Sequence, residues 1–138
     1  MIVAVTRRYR FPAAHVLCIP GLSEAENRRL YGKCANPAGH GHNYGIEVTV
    51  GGEIDPRTGW VVDPESLDAL VGERVVERFS HRLLNDDPAF RRAVPTAENI
   101  ARFVHESLEE PLADRGARLL RVQVVETRRN RFDTGELQ

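Results

Sequence analysis

The sequence has 138 residues, with 19 Lys+Arg against 20 Asp+Glu for a formal net charge of −1, and its basic side chains are almost all arginine, interspersed with acids. That balance argues against a nucleic-acid surface, and no apolar run approaches the roughly 18 residues of a membrane span or the continuous stretch of a signal peptide. The length allows a single domain over residues 1–138, and two cysteines, Cys18 and Cys34, suit a reduced compartment better than a lone bridge, so a soluble, cytoplasmic protein is expected.

Ile2 to Phe11 reads as a strand, with Val3, Val5, Arg7 and Tyr9 on one side and Ala4, Thr6, Arg8 and Arg10 on the other. Pro12-Ala13-Ala14 ends it and leads to His15, among small residues that leave room for a ligand but equally suit a hydrogen-bonded histidine. Val16 to Pro20 is short and apolar, and Cys18 there reads as packing. Ser23-Glu24-Ala25-Glu26 has the form of a capping box, opening a short helix that Gly32 ends.

The stretch Gly32 to Tyr44 holds the densest chemistry. His40 and His42 stand at i and i+2, so an extended backbone points both imidazoles to one face, where they can share a metal. Cys34 lies six residues before His40, and the intervening Asn36-Pro37-Ala38-Gly39 favours a turn that returns the thiol toward the same place.

Gly45 to Val50 alternates as a half-buried strand; Asp55 to Gly59 is a turn, and Trp60-Val61-Val62 is expected to return as the second strand of a hairpin. Asp63-Pro64 supplies an N-cap and a first-turn proline for a helix from about Pro64 to Phe79, with Leu67, Leu70, Val71, Val75 and Phe79 as its buried stripe. His81 follows, near the helix C-terminus, where a protonated imidazole is favoured by the dipole. Thr96 reads as the N-cap of a second long helix with Ile100, Phe103, Val104 and Leu108 inward and His105 solvated, and Pro111 to Gly116 leads out.

The last strand, Leu119 to Thr127, places Leu120, Val122 and Val124 on one face, and the next residue on that face is Glu126. A carboxylate there needs either a specific partner or access to solvent. Arg128, Arg129 and Arg131 nearby either attract an anionic substrate or solubilise the tail.

His15, His40 and His42 match the protein share of a catalytic zinc site with an open fourth position; the competing arrangement is a closed structural site with Cys34 as fourth ligand. A Cys34 left free beside a cation is a base or nucleophile, because nearby positive charge lowers a thiol pKa, and His81 is its natural proton partner.

These residues, with Phe11-x-x-x-His15, Leu30-Tyr31-Gly32-Lys33-Cys34-Ala35-Asn36-Pro37-Ala38-Gly39-His40-Gly41-His42-Asn43-Tyr44, Glu53-Ile54-Asp55-Pro56-x-Thr58-Gly59, Pro95-Thr96-Ala97-Glu98-Asn99 and Glu126-Thr127, form an ordered pattern across nearly the whole chain. The pattern resembles the 6-pyruvoyl-tetrahydropterin synthase and 6-carboxy-tetrahydropterin synthase family. The resemblance implies an α+β fold: a four-stranded antiparallel sheet with two helices on one face, a tunnelling-fold subunit that assembles into a barrel, usually a homohexamer made of two trimers. It implies Zn²⁺ on His15, His40 and His42, Cys34 as general base with His81, and Glu126 anchoring a pterin ring, with Thr96 and Glu98 around the same pocket. The implied substrate is 7,8-dihydroneopterin triphosphate, and the implied activity is a lyase reaction that expels triphosphate without an external redox cofactor.

The pattern is broken at Ser80, where the family usually has an aspartate completing a Cys-Asp-His relay; Asp86 or Asp87 is a substitute source of charge. The queuosine-pathway 6-carboxy enzyme shares the histidines but usually has its cysteine closer to the His-x-His pair, so the spacing favours the pyruvoyl type. A non-catalytic pterin binder on the same scaffold is the alternative from another functional class.

Overall fold

The computed structural model describes residues 1–136. Its frame is a pair of long antiparallel strands, β1 (Val3–His15) and β2 (His40–Gly52), in register from Val3 opposite Gly52 to His15 opposite His40. Both are longer than expected: β1 runs through Pro12 to His15, and β2 begins at His40 rather than Gly45. The odd residues of β1 and the even residues of β2 face the core, so Phe11, Tyr44, Ile46, Val48 and Val50 are all fully buried.

The sheet has five strands in the order β3-β1-β2-β4-β5, where β3 is Arg82–Leu83, β4 is Arg118–Val125 and β5 is Arg131–Asp133. It is mixed, because β3 pairs parallel with β1 while the other neighbours are antiparallel. The expected four-stranded, purely antiparallel sheet is corrected on both counts. The expected hairpin is also absent: Asp55 to Gly59 does turn, with Gly59 at φ 78, but Trp60-Val61-Val62 forms no strand. Antiparallel β1 and β4 already occupy both sides of β2, which leaves that segment no ladder to join.

Helix α1 (Glu24–Tyr31) is capped by Ser23, whose hydroxyl accepts from the Glu26 N–H, and ends at Gly32 with φ 61, as its sequence dictates. Asp63 caps α2 (Pro64–Val71), which continues through a π-helical turn at Gly72–Val76 into α3 (Glu77–Phe79). Throughout this stretch the expected stripe of Leu67, Leu70, Val71, Val75 and Phe79 is buried. Thr96 caps α4 (Ala97–Ala113) through its hydroxyl and the Asn99 N–H. Pro111 does not end α4, because buried Leu112 beyond it anchors the final turn in the core.

Helix α4 and the run from α2 to α3 pack on one face of the sheet, whereas α1 lies against the Gly32–Ala35 turn. Phe11 stacks on Tyr44 with centroids 5.3 Å apart and meets Phe79 at 5.7 Å, linking both central strands to α3. Burying one such ring contributes roughly 1.5–3 kcal/mol, and truncating Phe79 to alanine would cost about 3–5 kcal/mol.

One register shift changes the face of β4. Thr49 pairs with Arg121 but Val50 with Leu119, so Leu120 is an extra, bulged residue. Leu119 therefore joins Val122 and Val124 in the core, whereas Leu120 packs beside Gly51, where a Cβ would come within 2.7 Å of its side chain. Beyond the bulge the phase is restored, and Glu126 keeps its place beyond Val124. No helix among the described residues is long and apolar enough to cross a membrane.

Candidate metal centre and active site

Strand pairing brings the three histidines together. His15 is the last residue of β1 and His40 the first of β2, directly opposite, while His42 faces the small Ala13. One ligand atom from each of the three lies within 4.8 Å of the others. His15 is 1% exposed, and its Nδ1–H donates to the Pro95 carbonyl at 2.7 Å, with the Tyr44 hydroxyl 3.2 Å from the same nitrogen. Because a carbonyl can only accept, Nδ1 carries the proton and Nε2 is left with its lone pair. That Nε2 stands 2.9 Å from Nε2 of His40.

His40 then meets a conflict. If its Nε2–H donates to His15, its Nδ1 lone pair is buried without a partner; if Nδ1 is protonated, a buried donor is orphaned and two lone pairs face one another. A cation between the rings removes the repulsion, and three neutral imidazoles suit a divalent transition metal. Burial is the largest cause holding His15 and His42 below the ordinary imidazole value of 6.5, and the neighbouring His40 adds to it. Both are thus kept neutral, as ligation requires. For His15, the Pro95 bond and the Glu126 carboxylate act in the opposite direction. The residues present fit a metal.

Cys34 sits in a 3₁₀ turn, Gly32–Ala35, half-buried, and its carbonyl accepts from the Leu17 N–H at 2.8 Å. Asn36 to Gly39 forms the expected turn, with the Gly39 N–H donating to the Asn36 carbonyl and Gly39 at φ 76. The Cys34 thiol is not one of the clustered ligand atoms. Burial, then the charges of Glu126 and Cys34, raise the Tyr44 pKa, which puts both groups within electrostatic reach of one phenol.

Glu126 lies just past β4, half-buried, in an open groove of about 850 Å³ that also takes in Arg8, Arg10, Asn43, Arg128 and Arg131. His81 is exposed on a shallow pocket of about 450 Å³ with His42 and Asn43, and Asn43 also lines the Glu126 groove. At φ 60 His81 is a non-glycine residue in the left-handed region, held there by its N–H to the Pro12 carbonyl at 2.7 Å. Ser80 turns its hydroxyl back to the Val76 carbonyl. Neither expected substitute for the missing aspartate is joined to His81 by a hydrogen bond: Asp87 is engaged by Arg78 through two bonds of 2.9 and 2.7 Å, and Asp86 lines a different pocket beside Arg78.

Thr96 uses its hydroxyl as a helix cap and adjoins the Pro95 carbonyl that holds His15, while Glu98 is exposed in the first turn of α4. His105 is not simply solvated, since its ring meets Thr134 Oγ1 at 2.7 Å. It lines a cavity of about 1010 Å³ with Ile2 and Glu109, apart from the three histidines. The Pro95 carbonyl and the Tyr44 hydroxyl were missed in the sequence: a carbonyl carries no residue-type signal, and Tyr44, which only closes the Gly32 to Tyr44 stretch there, shows no partner until the strands pair.

The fold and site together define an α+β protein with a candidate metal centre where its two central strands end. The model of the family described as 6-pyruvoyl tetrahydropterin synthase matches residues 4–136. The chain is 42% identical over 127 residues to the human 6-pyruvoyl tetrahydrobiopterin synthase, covering 91% of this chain and 86% of that one. It is 39% identical over 127 residues to the Drosophila melanogaster protein of the same name, covering 91% and 75%. The structure of Caenorhabditis elegans 6-pyruvoyl tetrahydropterin synthase superposes with a TM-score of 0.90 at 37% identity, covering 99% of this chain and 97% of that chain. The chain belongs to the 6-pyruvoyl tetrahydropterin synthase family.

Proposed function

We propose that this protein is a zinc-dependent lyase that converts 7,8-dihydroneopterin triphosphate to a 6-pyruvoyl-tetrahydropterin. The observation that carries the reading is the convergence of His15, His40 and His42, with the His15 tautomer set by Pro95, beside the carboxylate of Glu126. Membership of a family whose relatives bear the synthase name supports the substrate class.

The three imidazoles would hold Zn²⁺, and the metal when bound would supply a Lewis acid for the side-chain oxygens of the substrate. Glu126 accepts paired N–H bonds from the pterin ring nitrogen and exocyclic amine, which orients the ring. Cys34 as thiolate takes a proton from the side chain, and His81 holds or returns it. Loss of triphosphate with one proton leaves an enol that becomes a methyl ketone. Transfer of two hydrogens from the remaining carbinol to the ring imine gives the diketone on a tetrahydropterin, so atoms and electrons balance without an external oxidant.

We assign Thr96 and Glu98 to the rim of the same pocket, because Pro95 beside them binds His15. Among the described residues no hydrogen bond joins Cys34 to His81, and His81 is exposed at the β3 edge of the sheet. We further assign the chain to a homo-oligomer, a barrel of six subunits with active sites at subunit interfaces, as its resemblance to the family implies.

The test is to incubate zinc-loaded protein with 7,8-dihydroneopterin triphosphate and identify products by chromatography and mass spectrometry. Triphosphate with a 6-pyruvoyl product is expected. A 6-carboxy product with acetaldehyde would assign the chain to the other branch, and substrate bound but returned unchanged would make it a pterin-binding module.

A further inference from the structure

Asn85 lies in the 3₁₀ turn Leu84–Asp86 that follows β3, and its amide makes two bonds to one residue just past the end of β1. Its Oδ1 accepts from the Val16 N–H at 2.8 Å, and its Nδ2 donates to the Val16 carbonyl at 2.8 Å. Val16 directly follows His15. Leu17, the next residue, donates its N–H to the Cys34 carbonyl at 2.8 Å. On the N-terminal side, the His81 N–H bonds Pro12, and Arg82 and Leu83 pair with Ala13 and Ala14. The segment 81–85 therefore lies along residues 12–16 of the chain, with the Asn85 side chain replacing the next rung of the ladder.

We propose that Asn85 is a positioning residue that fixes His15 and Cys34 relative to one another. It touches neither reacting group; it acts through Val16 and Leu17, the two residues whose backbones stand between the metal ligand and the thiol. A side-chain amide is suited to this task because it presents one acceptor and one donor in a plane, matching the C=O and N–H of a single extended residue. Aspartate has the same shape but sets a second oxygen against the Val16 carbonyl, and alanine leaves both backbone groups of Val16 without a protein partner. The inference rests on the assigned roles of His15 and Cys34, and its test uses readouts that need no turnover.

The experiment compares the full-length parent with Asn85→Asp, Asn85→Ala and a control, Asp68→Asn. The control breaks the bidentate Arg7–Asp68 pair, remote from the histidines along β1, and reports general loosening of the sheet. Zinc affinity is measured by chelator competition, and the rate of Cys34 alkylation is measured on zinc-loaded protein by mass spectrometry, which separates Cys34 from Cys18. Both Asn85 variants are expected to bind zinc about tenfold or more weakly, as for lost support of a metal ligand. Their Cys34 is expected to alkylate several-fold faster, with the control near the parent on both readouts. Parent-like values in the Asn85 variants, a change in one readout alone, or changes no larger than those of Asp68→Asn overturn the proposal. If the lyase assay fails while both readouts shift, the proposed reaction is wrong and the positioning role stands.

Discussion

His15 and Pro95, eighty residues apart, are joined by an imidazole Nδ1–H donated to a carbonyl at 2.7 Å. The bond fixes which nitrogen of His15 carries the proton and leaves Nε2 facing His40 Nε2 at 2.9 Å. A cation held between these two nitrogens replaces their close approach with ligation. Metal removal by a chelator should therefore lower the thermal midpoint, and readdition of zinc should restore it. His40→Ala or His42→Ala should abolish stoichiometric zinc, measured by elemental analysis, and lose the zinc-dependent rise in midpoint.

Cys34 lies outside the cluster of ligand atoms, so its thiol is separable from metal binding. Cys34→Ala should retain zinc and fold while turnover falls by about 10² to 10⁴, the range for loss of a general base. Loss of zinc in that variant would restore the closed four-ligand site as the better description.

Glu126 opens into the groove beside Asn43 and Arg128. In Glu126→Ala, loss of a charge-assisted pair to the pterin should cost about 1.5–3 kcal/mol, on the order of 10- to 100-fold, expressed mainly in KM. An unchanged KM in steady-state kinetics would remove the anchoring role.

Ser80 donates its hydroxyl to Val76 and offers His81 no charge. Ser80→Asp should raise the rate by stabilising an imidazolium at position 81, checked by kcat against pH; an unchanged or lower kcat contradicts it. His81→Asn, compatible with the left-handed backbone at φ 60, should lower kcat while leaving the fold intact.

The Arg78 guanidinium, bonded twice to Asp87, holds that carboxyl below its ordinary value of 3.8, against the opposing effect of burial. Between the folded value and 3.8 the unfolded state binds more protons, so stability rises with pH there. The contribution is complete above 3.8 and is lost as pH falls through the folded value. Asp87→Asn should be destabilised by about 1.5–3 kcal/mol at neutral pH. That deficit should close in strong acid, followed by denaturant titrations across pH.

The sequence by itself determined the features that depend on near neighbours. Ser23, Asp63 and Thr96 cap their helices, Gly32 ends α1, and the stripe from Leu67 to Phe79 is buried, because capping and helical periodicity act within a turn or two. The His40–His42 pair was legible because an extended backbone fixes i and i+2 on one face. Tertiary structure decided whatever depends on which strand lies beside which. It brought His15 opposite His40, bulged β4 at Leu120, denied Trp60 to Val62 a ladder, and recruited β5 to the sheet. It also placed the Pro95 carbonyl behind His15 and, among the described residues, left His81 without a bonded carboxylate. Register, backbone carbonyls and an amide such as Asn85 act through partners tens of residues away, and local residue type does not encode those partners.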